Sequence, residues 1–349
     1  MLKTLKRAIL RAARNTGAFR TTANSRWRQR RLLILCYHGV SIEDEHEWNP
    51  RLYMPPAALE RRFALLRDNG FRVLPLDEAI SILYGGSLPP RSVALTFDDG
   101  CYDFYRNAYP LLKKFGFPAT VYLTTWYSGR NQPVFDPACH YLLWKARGAV
   151  LDGRQFGISQ QLDLRTPAAL DRARGALLGF ARHGGLDGEG KQELLKQLAR
   201  AAGIDYTELV RKRLLQIMKP DEVCELARAG IDFQLHTHRH STPSDRDLFL
   251  REIRDNRERL EALTGRNPVH FCYPSGVHKP EFLPWLAEVS IASATTCEPG
   301  LASPRSNPLL LPRLVDHCGL DEVEFEGWLC GCSAFLPRRR QAAASAERR

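Results

Sequence analysis

Short, wholly apolar runs alternate with helix-patterned segments along most of this chain. Leu32-Leu33-Ile34-Leu35-Cys36-Tyr37 has no polar side and stops at His38-Gly39. Such a run predicts a strand buried on both faces, as in a parallel sheet. Residues 57–69 then read as a helix, stopped by Gly70. Phe71 to Leu74 predicts a short strand, and Asp77 to Tyr84 a helix closed by Gly85-Gly86. Ser92 to Phe97 is a second buried strand that runs into Asp98-Asp99-Gly100. A helix over 105–115 and a strand over Ala119 to Leu123 continue the rhythm. After residue 218 it resumes: helix 221–228, strand Ile231 to Leu235, helix 245–264, strand Val269 to Tyr273, helix 281–288, strand 290–295 and a closing helix 321–330. This alternation predicts an α/β fold with parallel strands, closed as a barrel or open as a sheet.

Residues 131–218 break the rhythm. They are rich in Ala, Leu, Arg and Gln, with glycine joints such as Gly184-Gly185, and predict a mostly helical insertion. At 349 residues and 44% hydrophobic, the chain can bury one large core or two modest ones. It holds no run of eighteen apolar residues, so no membrane-spanning helix is expected. No apolar core or small-residue cleavage site follows the basic N-terminus, so a secretory signal is not expected.

The net charge of +11 is concentrated at the ends. Residues 1–31 carry ten Lys and Arg and no acid, the first being Glu43; the C-terminus carries Arg338-Arg339-Arg340 and Arg348-Arg349. The expected division is a basic arm over 1–30, a body over 31–335 and a basic tail over 336–349. Leu2, Leu5, Ile9, Ala12 and Phe19 recur near helical spacing, so residues 1–31 could lie on an anionic membrane, stay solvated, or pack on the body. Nucleic acid is not expected, because no zinc-finger spacing occurs. Nine scattered cysteines without framework spacing suit free thiols in a reducing compartment. Cys330-Gly331-Cys332 lacks the spacing of a zinc knuckle.

Polar clusters follow four of the strands: His38; Asp98-Asp99; His236, His238 and His240; and Pro274-Ser275-Gly276. In parallel α/β folds the C-terminal strand ends form the site. His236 and His240, at i and i+4, share a face if the segment makes a helical turn, leaving His238 out of phase. Two imidazoles and one carboxylate make an open metal site, with Asp99 the natural third ligand. Asp98 and Asp99 are adjacent, which does not suit the 5–10 Å separation of glycosidase carboxylates. It suits one metal ligand beside one proton acceptor.

Thr96-Phe97-Asp98-Asp99-Gly100 together with His236-Thr237-x-x-His240 resembles the polysaccharide deacetylase (NodB-homology, carbohydrate esterase family 4) superfamily over roughly residues 31–335. The resemblance implies a distorted (β/α)7-type barrel with a helical insertion. It implies Asp98 as catalytic base and Asp99, His236 and His240 as metal ligands. The opening Leu35-Cys36-Tyr37-His38 resembles the circularly permuted branch, which makes His38 the general acid. Where the family usually carries Arg-x-Pro-Tyr, this chain reads Cys272-Tyr273-Pro274-Ser275, so the motif arginine is missing. The Ser275 N–H remains available to an oxyanion, with Tyr273 and Pro274 beside it, and Arg313 is the candidate to orient Asp98. The family's Asp-and-Trp motif is assigned to no residues here, and Trp285 and Trp328 are assigned to the core.

The implied reaction is hydrolytic removal of an acetyl group from an N-acetylated sugar, in a polysaccharide or a lipid-linked glycan precursor. The implied cofactor is a divalent metal, zinc by its ligand set, although other first-row ions suit the same ligands. A cytoplasmic location, at the inner membrane face if residues 1–31 bind lipid, is the expectation. Hydrolysis of another non-peptide C–N bond, or a catalytically inactive carbohydrate-binding relative, are the alternatives.

Overall fold

Successive side chains of a strand point to opposite faces. In this computed structural model, which describes residues 2–337 and their side chains from Thr4 on, that alternation separates a core from a site. The main sheet has eight strands. They are β1 (Leu33–Tyr37), β2 (Arg72–Val73), β3 (Ser92–Phe97), β4 (Thr120–Leu123), β5 (Asp232–Leu235), β6 (His270–Cys272), β7 (Ser293–Thr295) and β8 (Leu314–Val315). All pair in parallel in the order β7-β6-β5-β4-β3-β1-β8, with β2 beside the start of β3. Leu311 closes the ring just before β8: its N–H donates to the Ala294 carbonyl at 2.8 Å, and its carbonyl accepts from Thr296 at 2.9 Å. The sheet is therefore a barrel rather than an open sheet.

Leu33, Leu35 and Tyr37 of β1 point outward, as do Val93, Leu95 and Phe97 of β3 and Phe271 of β6. They pack under the surrounding helices against Leu59, Phe63, Leu226 and Phe249. Ile34, Ala94, Tyr122 and Cys272 point inward and meet Leu76, Ala79 and Leu83 of the Leu76–Gly85 helix. That helix lies at the N-terminal mouth, where Asp77 meets His270, the first residue of β6, at 3.2 Å.

The predicted helix over 105–115 opens as a π-turn, Phe104–Ala108, and becomes α only over Tyr109–Phe115. Pro110 has no N–H to donate to the carbonyl of residue 106, so the ladder widens there. The predicted strand over 290–295 shrinks to Ser293–Thr295, after Ser290 turns at φ 56°. A two-residue parallel pair, Gly39–Val40 with Tyr53–Met54, was not expected. Only glycine fits at its first position, because a Cβ on Gly39 would fall 2.1 Å from the Tyr53 ring.

The 131–218 segment is mostly helical, with one small antiparallel hairpin, and builds its own apolar cluster around Leu142, Leu177 and Leu198. The N-terminal helix (Leu2–Asn15) packs on the body along one side. It and the Ala18–Ala23 helix lie on the closing helix, Glu322–Cys330, through Leu10, Phe19, Ala23, Val323 and Cys330. Arg7 pairs with Glu324 at 2.9 Å and Arg14 with Glu326 at 3.0 Å. Among the described residues no helix is long and apolar enough to cross a membrane. The basic tail at Arg338-Arg339-Arg340 and Arg348-Arg349 lies outside the described residues.

Arg28 bolts this layer to the barrel. It is fully buried and donates to the main-chain carbonyls of Leu329 (2.8 Å), Arg31 (2.7 Å) and Ser92 (3.3 Å). Burial lowers its pKa to about 10. Removing the guanidinium would orphan those acceptors in a dry setting. Arg28→Ala is expected to cost about 3 kcal/mol of stability. Arg26→Ala, on the exposed face, is expected to cost under about 0.5 kcal/mol. Urea unfolding of the two variants checks the difference.

Candidate active site

The inward parity of the strands continues past their C-terminal ends. On β1 it runs from Ile34 through Cys36 to His38, and on β3 from Ala94 through Thr96 to Asp98. On β5 it runs from Gln234 to His236. These side chains converge above the barrel.

Asp99 Oδ1 lies 3.2 Å from His236 Nε2 and 3.2 Å from His240 Nε2. The three form one of the clusters whose donor atoms are close enough to share a cation. The expected helical turn is absent: residues 236–240 form an irregular loop, with Thr237 at φ 60° and His240 at φ 57°. Left-handed backbone, not i, i+4 helix geometry, brings the second imidazole round. Asp99 is itself left-handed at φ 70°, which turns it away from Asp98 and toward the histidines. Burial would raise its pKa, but hydrogen bonds from both imidazoles outweigh it and hold the carboxylate well below the usual range.

The second layer fits a metal. His236 Nδ1 donates to the Cys272 carbonyl at 2.9 Å, which aims Nε2 at Asp99. The His236 N–H donates to Asn256 Oδ1 at 2.9 Å, while the Asn256 amide donates to the Leu123 carbonyl (3.0 Å) and to Thr125 Oγ1 (2.9 Å). His238 is out of the cluster as expected, with Nδ1 2.8 Å from Thr125 Oγ1.

Arg313 grips Asp98 with two parallel bonds, Nη1 to Oδ1 at 2.7 Å and Nη2 to Oδ2 at 2.8 Å. Nε donates to the Thr296 carbonyl at 3.0 Å, and Nη1 also reaches Thr96 Oγ1 at 3.1 Å. Arg313 is 0% and Asp98 3% exposed, so this ion pair is dry. Desolvation pushes the Asp98 pKa up, but the guanidinium charge and its bonds hold it far below the usual carboxylate range. Cys36 and Cys272 place their Sγ atoms 3.4 Å from Asp98 Oδ2. His38 Nε2 stands 3.8 Å from the same oxygen, and its buried Nδ1 has no partner among the described residues.

The Tyr273-Pro274-Ser275 expectation divides. Tyr273 does not line the site: its parity is outward, it is fully buried in the core, and its hydroxyl donates to the Leu309 carbonyl at 3.0 Å. Pro274 is buried and has no N–H. Ser275 is left-handed at φ 55° on the loop beyond β6. Arg313 belongs with Asp98 and, being fully buried, is not a substrate contact. Trp328 lies in the core and Trp285 packs against it.

The polysaccharide deacetylase family model matches residues 85–158 and 187–292, just over half the chain. The chain belongs to the polysaccharide deacetylase family. The poly-beta-1,6-N-acetyl-D-glucosamine N-deacetylase of Escherichia coli (strain K12) is 34% identical over 98 residues, covering 28% of this chain and 14% of the relative. That of Staphylococcus aureus (strain MSSA476) is 37% identical over 72 residues, covering 21% and 25%. The curated relatives are thus matched over about a third or less of their own length. The Streptococcus pyogenes deacetylase PplD in complex with acetate superposes with a TM-score of 0.55 at 20% identity, over 84% of this chain and 96% of that one. IcaB from Ammonifex degensii superposes at 0.54 and 18% identity, over 86% and 97%. Both share the barrel fold.

Two features of this deacetylase-family chain escaped the sequence reading. One is Asn256, and its signal was legible: a polar residue on the apolar stripe Phe249, Ile253, Leu260 of the Arg246–Thr264 helix. The other is the thiol pair at Asp98. Cys36 and Cys272 carry no spacing that marks them.

Breaking a dry ion pair from one side strands the other charge. Arg313→Met is expected to lose about 3–5 kcal/mol at neutral pH. The double variant Arg313→Met/Asp98→Asn is expected to recover much of that loss. Because the folded Asp98 pKa is depressed, the wild-type contribution is complete above the ordinary carboxylate value of about 4 and fades as the pH falls below it. Urea unfolding from pH 7 to pH 3 in chelator-treated buffer reads both effects.

Proposed function

We propose that this protein is a metal-dependent hydrolase that removes the acetyl group from an N-acetylated sugar within a polysaccharide or glycan precursor. The observation that carries the reading is the meeting of Asp99, His236 and His240 beside a dry, arginine-held Asp98 and the His38 imidazole. We take residues 31–335 as the catalytic domain and 131–218 as an insertion bordering the substrate cleft.

Asp99, His236 and His240 would hold the cation, zinc by its Asp-His-His set. Such an ion polarises the amide carbonyl and acidifies water. Asp98 takes the proton from the attacking water. Arg313 cannot compete for that proton; it fixes the direction of the carboxylate and keeps it ionised. The Ser275 N–H serves the developing oxyanion, and His38 delivers a proton to the departing sugar nitrogen. Products are acetate and a free amine. The enzyme works in the cytoplasm at the inner membrane face, on a lipid-linked precursor. In support, the N-terminal helix leaves Leu5 and Ile9 59% and 44% exposed, with Arg11 exposed on the same helix.

Asp98→Asn and His38→Ala are each expected to lower acetate release from N-acetylated oligosaccharides about 10²–10⁴-fold while metal content stays near one per chain. His236→Ala and Asp99→Ala are expected to lose the metal, as read by elemental analysis after dialysis. Stoichiometric metal with no acetate release from any N-acetylated substrate would overturn the deacetylase reading. For the membrane reading, Leu5→Asp/Ile9→Asp is expected to abolish flotation with anionic liposomes. Equal flotation by the variant would end it.

A further inference from the structure

Cys36 has no task in the proposed chemistry, yet its thiol is fully buried against Asp98. Cys36 and His38 lie two residues apart on the inward parity of β1, so their side chains rise together toward the barrel mouth. β1 pairs with β3 with Cys36 opposite Thr96, and the Asp98 N–H donates to the Tyr37 carbonyl at 2.9 Å. That register sets Asp98 beside both residues. Its Oδ2 lies 3.4 Å from Cys36 Sγ and 3.8 Å from His38 Nε2. One donor atom from each of the three residues lies within 4.8 Å of the other two. A sulfur at about 2.3 Å and a nitrogen or oxygen at about 2.0 Å from one tetrahedral ion stand about 3.5 Å apart. The observed separations suit a shared ion with little movement.

Asp98, His236 and Cys272 also converge, but that group shares His236 with the Asp99, His236 and His240 set. The Cys272 sulfur, moreover, already accepts from Arg313 Nη2 at 3.1 Å. Cys36, His38 and Asp98 share no ligand with the first set, so filling one does not require emptying the other. The His38 imidazole is uncommitted. Its Nδ1 has no partner among the described residues, and Nε2 stands beyond hydrogen-bond reach of Asp98. The His38 side chain is 16% exposed, which gives an ion a way in from the mouth. Arg313 takes one lone pair of Asp98 Oδ2, and a carboxylate oxygen has a second to offer.

We propose that Cys36, His38 and Asp98 form a second cation site, selective for a thiophilic divalent ion such as cadmium or a further zinc. A soft sulfur among the donors favours such ions over magnesium or calcium. The ion displaces the Cys36 thiol proton to solvent and takes Sγ, Nε2 and Oδ2, with water in the fourth position. Binding here has to expel a thiol proton, which the first site does not, so the first site fills first. One consequence rests on the deacetylase reading. The same ion ties up the proposed base and the proposed acid together, and so it inhibits.

The test titrates the full chain, loaded with one zinc, with cadmium. Equilibrium dialysis is expected to show one further ion per chain with the zinc retained. X-ray absorption at the cadmium edge is expected to show one sulfur ligand. Acetate release is expected to fall about 10²-fold as that ion binds, the scale of a lost acid–base group, and to return on mild chelation. In Cys36→Ser, which keeps the size of the side chain, the cadmium–sulfur signal is expected to vanish and inhibition to need at least about tenfold more cadmium. Cys318→Ser, which removes an exposed thiol, is expected to change neither. Cadmium without a sulfur ligand, inhibition that tracks zinc loss, or sulfur ligation that persists in Cys36→Ser would each overturn the site. Dialysis and X-ray absorption need no substrate, so a chain that releases no acetate would sink the deacetylase reading while those two readings still decide the site.

Discussion

A guanidinium and a carboxylate, both stripped of water, meet inside the barrel, and the site is arranged around that contact. Arg313 reaches Asp98 with two bonds of 2.7 and 2.8 Å, and its Nε and Nη1 are tied to Thr296 and Thr96. Desolvating either charge alone would cost several kcal/mol, so removing one partner destabilises the fold while the other stays buried. The pair also fixes direction. A carboxylate held by a planar fork cannot rotate, and its Oδ2 stays aimed at the space shared with His38.

The barrel supplies this pair through the pleat. Cys36 and His38, Thr96 and Asp98, Gln234 and His236 each lie two residues apart on strands whose alternate residues are core. Inward residues therefore rise in steps toward the C-terminal mouth. The candidate ligands Asp99 and His240 then depart from the pleat. Asp99, Thr237, His240 and Ser275 all hold positive φ without being glycine. Residues so placed cost free energy and persist where the surroundings over-determine them. At Asp99 and His236 the surroundings are on view: Asn256 and the Cys272 carbonyl lock the first imidazole, and that imidazole locks the carboxylate.

Charge tells a different story in the sequence and in the fold. The first 31 residues hold ten basic side chains and no acid, which reads as an arm seeking an anionic partner. Part of that partner is internal. Glu324 and Glu326 of the closing helix take Arg7 and Arg14, and three main-chain carbonyls take Arg28. The apolar face of the N-terminal helix is split by this docking, with Leu10 turned in and Leu5 and Ile9 turned out.

Strand and helix rhythm, the identity of the metal-ligating and acid-base candidates, and the helical nature of residues 131–218 were legible without coordinates. Each depends on local periodicity or on residue types clustered within a few positions. The sequence also held the parity that sends Tyr273 to the core and Cys272 to the site, although its motif suggested otherwise. What only the tertiary structure decided is which distant groups share a solvent-free volume. Arg313 follows Asp98 by 215 residues and Asn256 follows His236 by 20, yet each pair is in contact. Closure of the ring through Leu311, the left-handed turn at Asp99 and the two thiols on Asp98 are equally non-local. No pattern along a chain encodes them, because burial and contact are properties of the packed barrel, not of neighbours in sequence.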